Sequence, residues 1–185
     1  MGDKAKIDDM NLEYEIVHRN IKYPRLEFKT GNLLLVLPRG YEDQDVIEKH
    51  KDWIYEKNNI INSALKEAKD KNLESRDEKD FKDLVHFLVE DFSDELDLEI
   101  NRVFFRKMKT KWASCSQKRN LTINKLSKYL PGELIKYIIL HEMLHLTERK
   151  HNEKFWNLIS QQFSDYKKKE KELFVYWFLI QNEDL

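Results

Sequence analysis

IKYIILHEMLHLTERKH, residues 135 to 151, is the stretch from which the rest of the chain is read. Leu130-Pro131 precedes it, and proline in a first turn with Glu133 near the positive end of the dipole predicts a helix starting there. Within that helix His141, Glu142 and His145 form H-E-x-x-H. At 3.6 residues per turn, a spacing of four puts the two imidazoles on one face with Glu142 beside them. Ile138, Ile139 and Leu140 before the motif, and Met143, Leu144 and Leu146 around it, leave one charged stripe on an otherwise apolar helix. A helix that apolar is buried. Two histidines and a glutamate buried without partners would be costly, so the stripe is expected to hold a metal rather than only bond to itself.

Neutral imidazole suits zinc, and a catalytic zinc takes three protein ligands and leaves a fourth position open. The reading therefore expects one zinc per chain, with Glu142 as the base that takes a proton from water and passes it to a leaving amine. His141 and His145 supply two ligands, and the third has rival candidates. His151 follows His145 at the metzincin spacing, although Glu148 stands where that motif has Gly. Six further residues of helix would turn His151 by about 240° and carry it about 9 Å along the axis, so the helix has to stop first. Asn152, a good N-cap for a new helix, supplies the stop. Glu170 and Glu172 are the alternatives by distance, but they sit in KKKEKE, which reads as a solvated face.

Elsewhere the sequence sets limits. With 185 residues and 41% hydrophobic residues, one domain over 1–185 is expected, with N-terminal strands and helix at about 11–98 and a metal-binding core at about 100–180. Lys plus Arg, 33, nearly balances Asp plus Glu, 34, so net charge gives no field that would gather nucleic acid or an anionic membrane. A single cysteine, Cys115, forms no internal disulfide and fits a reducing compartment. The opening MGDKAKIDDM is charged where a signal peptide needs an apolar stretch, so the expected location is cytoplasmic. The apolar run LFVYWFLI at 173 to 180 falls well short of the roughly 20 residues a spanning helix needs. It is expected to dock on the core.

Residues 11 to 38, broken by Pro24 and by Gly31-Asn32, read as two or three antiparallel strands. Asp45 to about Lys69 reads as one amphipathic helix, followed by a charged linker and a second helix carrying Phe81, Leu84, Val85 and Leu88. RVFFRKMKTKWAS and NLTIN, with CSQKRN between them, predict a β-hairpin. Alternation along its first strand sets Lys107, Lys109 and Lys111 on one face, to keep an edge soluble or to meet acidic peptides or nucleic acid. His18, His50 and His86 share no spacing and are left out of the site, and Cys115 is given no catalytic role.

KWASCSQKRNLTIN followed by HEMLHLTERKHNEKFW resembles the YgjP-like metallopeptidase family, related to the WLM and SprT-like zincins, over roughly residues 100 to 178. Lys111 and Ala113 stand where that pattern has Arg and Gly. The resemblance implies His141, His145 and His151 as metal ligands and Glu142 as base. It also implies an α+β, zincin-like fold with a small mixed or antiparallel sheet on the active-site helix and C-terminal helices. The implied activity is zinc-dependent hydrolysis of a peptide or protein substrate. A DNA-associated protease of the SprT-like type and a non-enzymatic, zinc-stapled interaction module are the alternatives.

Overall fold

The computed structural model of the chain describes residues 3–7, 10–29 and 32–182. Two compact units divide it, Met1–Asp70 with Gln181–Leu185, and Lys71–Ile180. Strands and helices are both present, as the α+β expectation requires.

In the first unit, the apolar run of β4 (Asn32–Leu37) is buried from Leu33 to Leu37, the mark of a central strand. Its neighbours are β1 (Asp3–Ile7), β2 (Met10–His18) and β3 (Arg25–Lys29), in the order β1-β2-β4-β3. The sequence pattern predicts antiparallel strands only. The outer pairs are antiparallel, but β2 and β4 run parallel. The cause is that β3 lies outside β4, so the chain returns beside β2 in its original direction. Asn32 opens β4, while Gly31 lies outside the described residues. Two helices, α1 (Asp43–Lys49) and α2 (Lys51–Ala68), replace the single one expected. The His50 N–H bonds Ile47 O at 3.1 Å, an i−3 bond that closes α1, and the His50 carbonyl then starts α2. Tyr14 ties β2 to the first turn of α1 by donating its hydroxyl to Asp43 Oδ2 at 2.5 Å.

The second unit carries the histidines. Asp77 caps α3 (Glu78–Leu96) by accepting the Asp80 N–H at 2.7 Å, and Phe81, Val85, Leu88 and Phe92 form its buried stripe. The charged linker before it is tied down: Arg76 Nη1 donates to Leu130 O at 2.5 Å and Lys128 O at 3.2 Å. A three-stranded sheet follows, of β5 (Arg102–Arg106), β6 (Ala113–Cys115) and β7 (Asn120–Asn124), in the order β5-β7-β6. The expected hairpin is present as β6 and β7, antiparallel, with Ser114 opposite Thr122. Its first strand is much shorter than expected. β5 instead pairs parallel with β7 on the other side, and Lys107, Lys109 and Lys111 occupy the loop between, exposed but on no strand face.

Asn124 is the reason for that break. Fully buried, it accepts the Met108 N–H at 3.2 Å and donates to Met108 O at 2.9 Å and Lys111 O at 2.7 Å. Its Oδ1 also accepts the Leu126 N–H at 3.2 Å, starting the 3-10 turn Lys125–Tyr129. Bonds that a continuing strand would make are taken by one side chain. At roughly 1 kcal/mol net per bond, Asn124→Ala is expected to cost about 3–4 kcal/mol and lower the melting temperature by about 10 °C. A loss under about 1 kcal/mol in urea unfolding would show that the loop is held by something else.

Three helices complete the unit: α4 (Gly132–Leu144), α5 (Glu153–Gln162) and α6 (Tyr166–Asn182). Leu173, Val175, Tyr176, Phe178 and Ile180 of α6 are buried, so the apolar run docks as expected. Among the described residues no helix is long and apolar enough to cross a membrane.

Candidate metal centre

α4 is apolar on nearly every side, with Ile138, Ile139, Leu140, Met143 and Leu144 all buried, and it presents His141 and His145 one turn apart. It ends at His145, as the spacing argument demanded. The Leu146, Thr147 and Glu148 amides bond back to Met143 and Leu144 carbonyls, and the chain leaves the helix axis. Asn152 then caps α5 by accepting the Phe155 N–H at 3.0 Å. His151, the residue before the cap, is thereby returned to the motif.

All three Nε2 atoms converge: His151 stands 2.9 Å from His141 and 3.1 Å from His145. Two imidazole nitrogens on one tetrahedral zinc stand roughly 3.3 Å apart, given a bond of about 2.05 Å. The donor set therefore fits a divalent metal of that kind. Each ring is held from outside. His145 Nδ1 lies 3.1 Å from Glu148 O, which makes Nδ1 the donor and leaves the Nε2 lone pair facing inward. His151 stacks on Trp156, with centroids 5.5 Å apart and planes at 26°. Phe155 lies stacked beneath His145 at 4.7 Å. Burial first, and then the neighbouring His145 and His151, hold the His141 imidazole down to about 3, so it is neutral across the physiological range. A neutral ring is what a metal requires.

Glu142 points from the same turn toward β6. Its Oε2 accepts the Cys115 N–H at 2.9 Å, so the edge strand of the sheet fixes the carboxylate. Burial raises its pKa above the usual carboxylate range, against the pull of His145, the Cys115 amide and Lys111. A carboxylate so raised is a better proton acceptor.

The family model of the YgjP-like metallopeptidase domain matches residues 55–175, well over half of the chain. The chain belongs to the YgjP-like metallopeptidase family. None of the curated proteins matches this metallopeptidase, whereas seven chains of solved structures do. One is the metallopeptidase zymogen of Pyrococcus abyssi abylysin, 29% identical over 48% of this chain and 88% of that one, with a TM-score of 0.42. Another is the metallopeptidase zymogen of Methanocaldococcus jannaschii jannalysin, 33% identical over 54% and 93%, with a TM-score of 0.41.

The two glutamates that rival His151 by distance along the chain lie off the point where the three Nε2 atoms converge. Glu172 pairs with Lys71 at 3.1 Å. Glu170 lies 3.5 Å from His141 Nδ1, on a different edge of the ring from the convergence at Nε2. Nor is KKKEKE wholly solvated, because Lys169 is buried and 3.6 Å from Asp165. Ala113, where the family pattern has Gly, lies in β6, and Asp97 and Arg119 are the non-glycine residues with positive φ among those described. The missing glycine is no obstacle.

Cys115 contributes its amide, a role that side-chain reasoning overlooked. Its thiol is pushed up to about 11, by burial first and by Glu142 second. Alkylation of Cys115 by iodoacetamide at pH 7.5 should therefore be about 100-fold slower than that of an unperturbed thiol. A rate equal to that of free cysteine would mean that neither its partial burial nor Glu142 holds the thiol protonated.

Proposed function

We propose that this metallopeptidase is a zinc enzyme whose metal is held by His141, His145 and His151, and whose general base is Glu142. One observation carries the reading: three imidazole Nε2 atoms meet at 2.9 and 3.1 Å beside a carboxylate fixed by a backbone amide. Among the described residues no fourth His, Cys, Asp or Glu joins the group, so a coordination position stays open for reactants. That favours an enzyme over a zinc that only staples helices.

Bound zinc supplies Lewis acidity, polarising a carbonyl and making water acidic enough to lose a proton near neutral pH. The chain's own residues do the rest. Glu142, with its basicity raised by burial, takes the proton from the attacking water and returns it to the leaving amine. The Cys115 N–H keeps the Glu142 carboxylate in one orientation through both transfers. Phe155 and the apolar flanks of α4 exclude bulk water from one side, which strengthens each electrostatic contact.

The substrate is a peptide or an unfolded protein. Incubation with casein should yield fragments when the protein is zinc-loaded, none after a chelator, and fragments again on adding zinc. Cleavage that persists in the chelator would reject a metal-dependent mechanism.

A further inference from the structure

Two groups outside the triad meet the outer edge of His141. Tyr137 lies one turn before it on α4 with no exposed surface, and its hydroxyl donates to Glu170 Oε1 at 2.5 Å. The same carboxylate oxygen stands 3.5 Å from His141 Nδ1. Glu170 is half-exposed on α6, and four residues earlier on that helix Tyr166 stacks on Trp156 at 5.0 Å. Trp156 in turn stacks on His151. One face of α6 thus backs two of the three histidines.

We propose that Glu170 is a positioning residue for the metal site, with its carboxylate oriented by the buried Tyr137 hydroxyl and taking the Nδ1–H of His141. The inference rests on the metal-site reading above. A ring that donates through Nδ1 has its lone pair at Nε2, the atom that faces His145 and His151. A carboxylate at Nδ1 fixes that tautomer, sets the ring angle and makes Nε2 a stronger donor to a cation. His145 draws the same service from Glu148 O, and His151 is held by Trp156, so Glu170 completes the set. Tyr137 explains why a half-exposed carboxylate has one orientation: a buried hydroxyl needs a partner, and Glu170 is the one it has.

Competition against a chelator, read as zinc affinity, tests this in Glu170→Ala, Glu170→Gln, Tyr137→Phe and the Tyr137→Phe/Glu170→Ala double variant. Glu170→Ala should weaken zinc binding by roughly 10- to 100-fold. Glu170→Gln should recover part of that loss, because its amide oxygen still accepts from Nδ1. Tyr137→Phe should cost less than Glu170→Ala and add nothing in the double variant. The metal-free Glu170→Ala protein should melt a few degrees below wild type, because the buried Tyr137 hydroxyl loses its partner, while Tyr137→Phe and the double variant stay closer to wild type. X-ray absorption should count three imidazoles on zinc in wild type and in Glu170→Gln alike. Wild-type affinity in Glu170→Ala would overturn the proposal. So would a carboxylate oxygen ligand that is present in wild type and lost in Glu170→Gln, since Glu170 would then bind the metal itself. A wild-type protein that takes up no zinc would overturn the metal-site reading, and this one with it.

Discussion

A Glu142→Gln variant is expected to fold, to keep its zinc, and to cleave protein roughly 10²- to 10⁴-fold more slowly than wild type. The amide keeps the volume and can still accept the Cys115 N–H that Glu142 Oε2 accepts at 2.9 Å, so the position of the side chain is preserved. What it loses is the capacity to take a proton. Burial, which raises the Glu142 pKa, has no counterpart in an amide. Initial rates on casein, with zinc content measured on the same samples, decide the matter. Rates within a few-fold of wild type at equal zinc would mean that another group takes the proton.

The second large effect concerns His151. Its Nε2 completes the convergence with His141 and His145, and its ring stacks on Trp156. His151→Ala should therefore weaken zinc binding by more than about 100-fold, beyond what loss of an outer partner costs. Glu172→Ala should leave zinc affinity where it was, because Glu172 is engaged with Lys71. The expected stability cost of that change is about 1 kcal/mol, because the Lys71 and Glu172 side chains are both partly buried and the change removes their hydrogen bond. The reverse result, zinc lost with Glu172 and kept without His151, would put a glutamate in the metal site.

Much of the site was legible because its signals are local. H-E-x-x-H on an apolar helix sets two imidazoles and a carboxylate by helical geometry alone, and Asn152 announced both the stop and the next helix. His151 followed from those two constraints. What stayed hidden depends on contacts between distant segments. Nothing in LTIN tells that Asn124 reaches back to Met108 and Lys111, and without that knowledge RVFFRKMKTKWAS reads as one strand instead of β5, a loop and β6. The alternating lysines were an accident of that misreading.

Glu170 was visible as a candidate ligand by distance along the chain, yet its place at Nδ1 of His141 depends on how α6 packs against α4. One sequence signal did exist. Tyr137 is four residues before His141, on the same helical face, and a tyrosine there next to a histidine of H-E-x-x-H invites the question of what its hydroxyl bonds. In the first unit, the parallel pairing of β2 with β4 was hidden because a strand's neighbours are set by topology, while alternation reports only which face is buried.

The most direct test of the central claim is zinc content joined to X-ray absorption on protein purified without chelators. The account predicts one zinc per chain, coordinated by three imidazole nitrogens with a remaining light-atom ligand from solvent. A protein that holds no zinc, or a zinc bound by fewer than three imidazoles, would contradict it.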